Sequence, residues 1–503
     1  MYNTTGAFKK GSGYLLRIMS PILLFSFVIG YFLILLGVAW YTARNSNNES
    51  FFIGNRSSSW ILVAFGMLGT SLSGVTFVSV PGAVAKESFA YFQVAIGYMI
   101  GYVLIAFVLL PIYYRLQLTS IYDYLNIRLG FTSYQTGASF FILSRLLGAT
   151  ARLYLVVNIL QYSILENLHI PFWLTTAIIL LMILLYTYKG GVKTIVWTDT
   201  LQTSCMLAGL IICIVYIMQY LHIGFSGSLA AMQSKGYSKI IFTDSNSKLF
   251  FVKQIIAGAF ITITMTGMDQ EMMQKNISVK TLKDSQKNVL SLGLILAFTI
   301  LIFLYMGGLL YLYAAQQHLT DSGDLLFPAI ALHHMPSIVS VIFIIALISA
   351  LFPSADGAIT ALTSSFCIDI LGIQRNTSLS ESKKKKIRHL VHISFAAIFL
   401  LFVLGFKWMN NPSMISVLLK VATYTYGPLL GLFTFSILVK RKVTDKWVPL
   451  VCLAAPIICY LVDRFQYVLF GAFEIGLELL LINGALTFAG LLLISKKDST
   501  QMQ

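Results

Sequence analysis

The 503-residue chain reads as an all-α membrane protein, one bundle of about thirteen transmembrane helices. Three observations predict this. Hydrophobic residues make up 57% of the chain and charged residues 11%, against roughly 25% charged in a soluble domain. The mean hydropathy is +0.80. The apolar residues also fall into runs of about 20, the length that crosses a hydrocarbon core of about 30 Å.

The elements follow in order. The run at 20–42 comes after a polar tail, 1–19, and is too long for a signal-peptide core. With no clear cleavage site, it predicts a retained helix. Apolar runs then predict spans at 58–83, 89–114, 132–162, 171–188, 195–221 and 251–273. Further spans are predicted at 288–316, 335–371, 389–408, 412–439, 446–463 and 465–495, before a short tail, 496–503. The run at 335–371 is long enough to extend past the bilayer or to tilt across it. The longest polar loops, 222–250 and 372–388, are too short for a domain of about 50 residues, so a single transmembrane domain, 20–495, is expected without a fused catalytic module. The five cysteines all lie in apolar runs without metal-ligand spacing and read as small core residues.

A formal charge of +16 raises the question of nucleic acid. The basic residues sit in short loops between spans, which is a membrane topology signal and excludes a nucleic-acid stripe. One face collects Arg44, Arg56, Arg115, Arg128, Lys189, Lys193, Lys275, Lys280, Lys283 and Lys287. It also collects Arg375, the Lys383 to Lys386 run, Arg388, Lys440 to Lys442, Lys446, Lys496 and Lys497. The other face holds Lys86, Lys235, Lys239, Lys248, Lys407 and Arg464. The asymmetry, roughly threefold or more, predicts that the first face is cytoplasmic. An odd number of spans in the inner (plasma) membrane then puts the N-terminus outside and the C-terminus inside. Lys9, Lys10 and Arg17 run against this; either they are outvoted or translation starts at Met19.

Two spans are interrupted. The first reads Gly69-Thr70-Ser71-Leu72-Ser73-Gly74-Val75-Thr76, with Pro81-Gly82 behind it. The second reads Thr262, Thr264, Thr266, Gly267, Met268, Asp269 and Gln270. Small and hydroxyl residues also suit close helix packing. An interruption in each half, however, points to an inverted repeat with a binding site between the halves, where broken backbone lines a cavity.

Charges inside apolar runs are costly and carry a functional expectation. Asp199 lies in Trp197-Thr198-Asp199; its alternative role is a cap near the cytoplasmic end. Asp356 lies deep in Phe352-Pro353-Ser354-Ala355-Asp356-Gly357; its alternative is an ion pair with Arg145 or Arg152. Pro353 cannot donate to the carbonyl of Ser349. Arg145 and Arg152, seven apart, share a helix face and suit a carboxylate. Glu474 and Glu478, one turn apart early in the last run, read as interfacial.

These segments resemble the sodium:solute symporter family, which includes sodium/glucose, sodium/proline and sodium/sialic acid transporters. The likeness runs from about residue 20 to about residue 440. It rests on Gly54-Asn55-Arg56, Gly69 to Pro81, Tyr188-Lys189-Gly190-Gly191 with Trp197-Thr198-Asp199, Asp269-Gln270 with Gln274-Lys275, and Ser354 to Leu371. The resemblance implies a LeuT-like fold, two inverted five-helix repeats (about 58–221 and 251–439) with flanking helices. It implies a sodium site at positions matching Gly69, Leu72, Ala350, Pro353 and Ser354, where Pro353 lacks the hydroxyl of the family pattern. Asp199 matches an acidic position that some members use for a further sodium, Asp356 stands where those members often carry serine, and the two acids together are expected to form a second cation site. The implied substrate cavity draws on Ser71, Ser73 and Thr76, on Gln93, and on Arg152, with Asp269 and Gln270 added from the second interruption. The hydroxyl-rich first interruption looks most like the sialic acid branch.

The sequence therefore predicts a symporter that imports a small organic solute with sodium by alternating access. Its partners are the solute, sodium and the lipid bilayer, with no nucleic acid and no obligate protein partner implied. The solute is expected to be a carboxylate such as sialic acid; a neutral sugar or amino acid stays open, as does a transporter-like sensor. A membrane enzyme is not expected, for the chain has no nucleophile–base constellation, no HExxH and no Gly-rich phosphate loop.

Overall fold

A computed structural model describes residues 21–42, 51–52, 56–165, 169–409 and 414–496, most of them helical. The expectations for Lys9, Lys10, Arg17, Met19, Arg44, Gly54, Asn55 and Lys497 fall outside these residues. Among the described residues, eight helices are long and apolar enough to cross a membrane, or eleven if each of three bent pairs is one span. The shorter apolar helices Phe172–Tyr188 and Leu479–Leu493 occupy two more of the expected positions, and thirteen spans stay an expectation.

Helix α1 is Pro21–Thr42. The first interrupted span forms α2, Trp60–Ser71, and α3, Gly74–Glu87, bent by 56°. Next come α4, Tyr91–Arg115, and α5, Phe131–Leu160. Two helices, α6 (Phe172–Tyr188) and α7 (Thr194–Tyr220), meet at a kink. Gly191 makes that kink with φ 55° and ψ −148°, backbone that a side chain would strain. The second interrupted span is α8, Phe251–Gly267, and α9, Gln270–Ile277, bent by 65°. Then follow α10 (Leu282–Gln317), α11 (Ser337–Ile370) and α12 (Glu381–Met409). A third bent span, 41°, joins α13 (Met414–Thr425) to α14 (Gly427–Leu438). Helices α15 (Val448–Arg464) and α16 (Leu479–Leu493) complete the bundle. A two-residue antiparallel pairing, Lys442 with Lys496 and Val443 with Ser495, ties the ends of α14 and α16 together.

Burial separates the inner helices from the outer ones. In α11, 83% of the apolar window is buried inside the protein, against 22% in the window that includes α15. Polar groups on α11 therefore face other helices, the arrangement that a charge at membrane depth requires. At 34 residues, α11 is about 51 Å long, well over the hydrocarbon thickness.

Two expectations need correction. The run at 465–495 is not one helix: a short turn of helix, Gln466–Phe470, ends at Gly471 (φ 63°), and α16 begins only at Leu479. Glu474 and Glu478 thus lie in the connection. The Glu474 amide donates to the carbonyl of Asn246 at 2.9 Å and so ties this connection to the 222–250 loop. That loop also contains a helix, Phe225–Ser234.

Candidate functional site

The break between α2 and α3 organises the site. Leu72 adopts φ −93° and ψ 79°, and Ser73 is extended. The last carbonyls of α2, Gly69 to Leu72, lie past its final helical hydrogen bond, from Leu72 N to the Leu68 carbonyl. Gly69 sits against Thr203 of α7 and Pro353 of α11, where a Cβ would overlap the Thr203 hydroxyl and stand 3.5 Å from Pro353 Cγ. Gly74 packs against Val156 of α5, which a Cβ there would overlap, and the Leu351 amide stands 3.8 Å from that Cβ position, so the break lies beside the 351–353 turn of α11. Ser354, on that turn, is fully buried, and its hydroxyl has no hydrogen-bond partner among the described residues.

A cavity of about 100 Å³ opens on the other side of the break. Ser71, Ser73 and Thr76 line it, with Tyr91, Tyr98 and Tyr102 of α4, Thr262 and Thr266 of α8, and Arg145 and Arg152 of α5. The hydroxyls of Tyr91 and Tyr98 are 3.0 Å apart. A wider cavity of about 470 Å³ shares Tyr91 and Leu419 with the first and reaches Glu87, Lys248, Lys420 and Asp463. It forms a vestibule on the face that carries the 222–250 loop.

The two arginines differ sharply. Arg145 hydrogen-bonds to Glu271, and Asp269 lies 3.8 Å away. Arg152 makes no ion pair among the described residues, and its Nε is buried without a partner. Its side chain, half-buried overall, stands at the cavity wall with that Nε as a free donor.

Behind the cavity runs a second set of ionisable groups. Lys275 Nζ is 2.7 Å from Asp199 Oδ2, 2.6 Å from Thr70 Oγ1 and 3.4 Å from Glu271 Oε1. Glu271 thereby joins Lys275 to Arg145. Asp356 accepts from Tyr186 at 2.6 Å and from the Gly357 amide at 2.5 Å. Each buried ion would cost several kcal/mol alone, so pairing is what makes the cluster tolerable.

The model of the sodium:solute symporter family matches residues 51–446. The chain belongs to that family. Its co-transported ion is sodium, and its relatives are transporters. A sodium/sialic acid symporter of Proteus mirabilis is 24% identical over 83% of this chain and 85% of its own length. Sodium-coupled monocarboxylate transporter 1 of Mus musculus is 26% identical over 84% of this chain and 68% of its own length. In three dimensions, a Na+-coupled sialic acid symporter in a substrate-bound outward-open state superposes with a TM-score of 0.81 at 19% identity, covering 95% of this chain and 99% of that one. A nucleobase-cation-symport-1 family transporter in a closed conformation gives 0.57 at 11% identity, covering 89% and 94%. The fold of this symporter is LeuT-like.

The expected residues divide into three groups. Ser71, Ser73, Thr76 and Arg152 meet at the cavity. Gly69, Leu72 and the Ala350–Ser354 turn are brought together at the break. Gln93, Asp269 and Gln270 lie off the cavity, with their bonding used elsewhere. Gln93 donates to the carbonyls of Leu249 (3.0 Å) and Ala90 (3.3 Å) and accepts from the Phe242 amide (3.2 Å). Gln270 accepts from the Ile121 amide (3.0 Å) and donates to the Thr119 carbonyl (2.9 Å). Asp269 caps α9, accepting from the amides of Glu271 (2.9 Å) and Met272 (3.2 Å) and from Tyr426 (2.8 Å). A short side chain at a helix start meets its own amides before it can reach a ligand.

The pairing of acids also differs from expectation. Asp356 meets Tyr186 and not an arginine, and Asp199 meets Lys275, so each acid expected to hold a second cation has another partner. Lys275 is itself a correction. Assigned from the sequence to a basic loop, it is buried in α9. The missed signal was Glu271 and Lys275 four apart, the spacing of a helical ion pair.

Proposed function

We infer that this symporter imports a solute bearing a carboxylate, with Arg152 as the anion's partner. The observation that carries this reading is the contrast within one cavity: Arg145 is neutralised by Glu271, whereas Arg152 has no carboxylate among the described residues. Ser71, Ser73 and Thr76 supply hydroxyls for the polar remainder of the solute, as sialic acid would require. Two relatives are named for sialic acid and for monocarboxylates, which agrees with an anionic solute.

Sodium binds where the carbonyls of Gly69, Leu72 and Ala350 converge with the Ser354 hydroxyl. Its binding orders the break and thereby the cavity wall beside it. The membrane potential contributes about 2.3 kcal/mol per charge per 100 mV. Residues 58–221 and 251–439 serve as the inverted repeats, each opening on a bent span, and alternating access moves one against the other around the site. The N-terminus faces outward in the plasma membrane and the C-terminus faces the cytoplasm.

Uptake into proteoliposomes, with and without an inward sodium gradient, tests the reading. Radiolabelled sialic acid and lactate are set against glucose and proline. Uptake of a carboxylate only under the gradient is expected. Arg152→Ala is expected to lose about 10–150-fold in apparent affinity, the worth of a hydrogen bond to a charged group. Sodium-driven uptake of a neutral sugar with Arg152→Ala unchanged overturns it.

A further inference from the structure

The buried cluster behind the cavity carries an inference about ion number, one that rests on the sodium-coupled reading above. Lys275 projects from α9 into the place where Asp199 offers a cation ligand. Its ammonium has three oxygens around it, from Asp199 (2.7 Å), Thr70 (2.6 Å) and Glu271 (3.4 Å), and its side chain is 3% exposed. Those are the hard oxygen ligands that a bare alkali cation would use. Thr70 lies on α2, Asp199 on α7 and Glu271 on α9, so the ammonium holds together the same elements that a bound ion would hold.

Among the described residues, Ser354 Oγ, Thr360 Oγ1 and Asp199 Oδ1 are buried without hydrogen-bond partners, and Gln202 on α7 has neither its oxygen nor its nitrogen bonded. A second sodium at Asp199 would have to share that carboxylate with the Lys275 ammonium 2.7 Å away, and the two cations would repel at low dielectric.

We propose that the Lys275 ammonium is the built-in occupant of the second cation position, so that this symporter binds one sodium ion, and that Lys275 is the residue that sets this number. Lys275 is a specificity-determining residue for the ion and not a ligand of the solute.

Equilibrium binding of ²²Na+ to the purified full-length protein tests this without knowledge of the solute, with choline chloride holding ionic strength constant. The wild type is expected to bind one ion with a Hill coefficient of about one. Lys275→Gln frees Asp199 and is expected to bind a second ion; Lys275→Gln with Asp199→Asn returns to one. Two ions on the wild type, or one on a folded Lys275→Gln, overturns the proposal. If Lys275→Gln does not fold, the wild-type count decides, with Lys275→Arg expected to keep it at one. No sodium bound to the wild type at all defeats instead the sodium-coupled reading on which the proposal stands.

Discussion

At the scale of single residues, the same side chain type does opposite work depending on its partner. Arg145 and Arg152 are both arginines on one face of α5, and both reach the cavity. Removing Arg145 leaves Glu271 and Asp269 with less positive charge in a buried setting, a change that typically costs about 3–5 kcal/mol. Arg145→Ala is therefore expected to lower the unfolding temperature in detergent markedly, and Arg152→Ala to leave it near the wild type. Thermal unfolding of both variants checks this. Equal losses would mean that Arg152 also has a structural partner. Lys275 and Asp356 follow the same logic. A buried charge takes the nearest tethered group that satisfies it, Asp199 for the first and Tyr186 for the second.

At the scale of elements, the molecule depends on where its helices stop. The break at Leu72 and Ser73 opens carbonyls to the site, and its position depends on how closely α2 approaches α7. Gly69 allows that approach, since a Cβ there would overlap the hydroxyl of Thr203. Gly69→Ala is expected to destabilise the protein by about 1–3 kcal/mol, the usual cost of overpacking. Adding Thr203→Ala removes the clashing hydroxyl and is expected to recover most of the loss. Melting curves for the two single variants and the double variant measure the coupling. Additive losses would show that the α2–α7 contact does not set the break. The second break works through a cap: Asp269 holds the start of α9, and α9 in turn aims Glu271 and Lys275 inward.

At the scale of the whole molecule, sidedness follows from charge. The 372–388 segment, with its run of lysines, is expected in the cytoplasm, and the vestibule opposite it is expected outside. Ser380 is exposed, and four of the five cysteines are buried with the fifth, Cys205, intermediate. A cysteine placed at Ser380 should therefore react with an impermeant thiol reagent only in inverted vesicles or lysed cells. Efficient labelling of intact cells would reverse the topology.

Much of this was legible in the sequence because it is local. Apolar runs set where helices lie. Glycine, serine, threonine and proline at mid-span marked both breaks, and the seven-residue spacing put Arg145 and Arg152 on one face. The partners of the charges were not legible. Arg145 meets Glu271 across 126 positions, Lys275 meets Asp199 across 76, and Asp356 meets Tyr186 across 170. Periodicity reports which face of a helix is apolar, and it carries no information about which other helix packs against that face. Only the packed bundle decided that Arg152 faces the cavity with no carboxylate among the described residues and that Asp199 is held by a lysine, because in low dielectric a charge is governed by whichever group lies within about 4 Å of it.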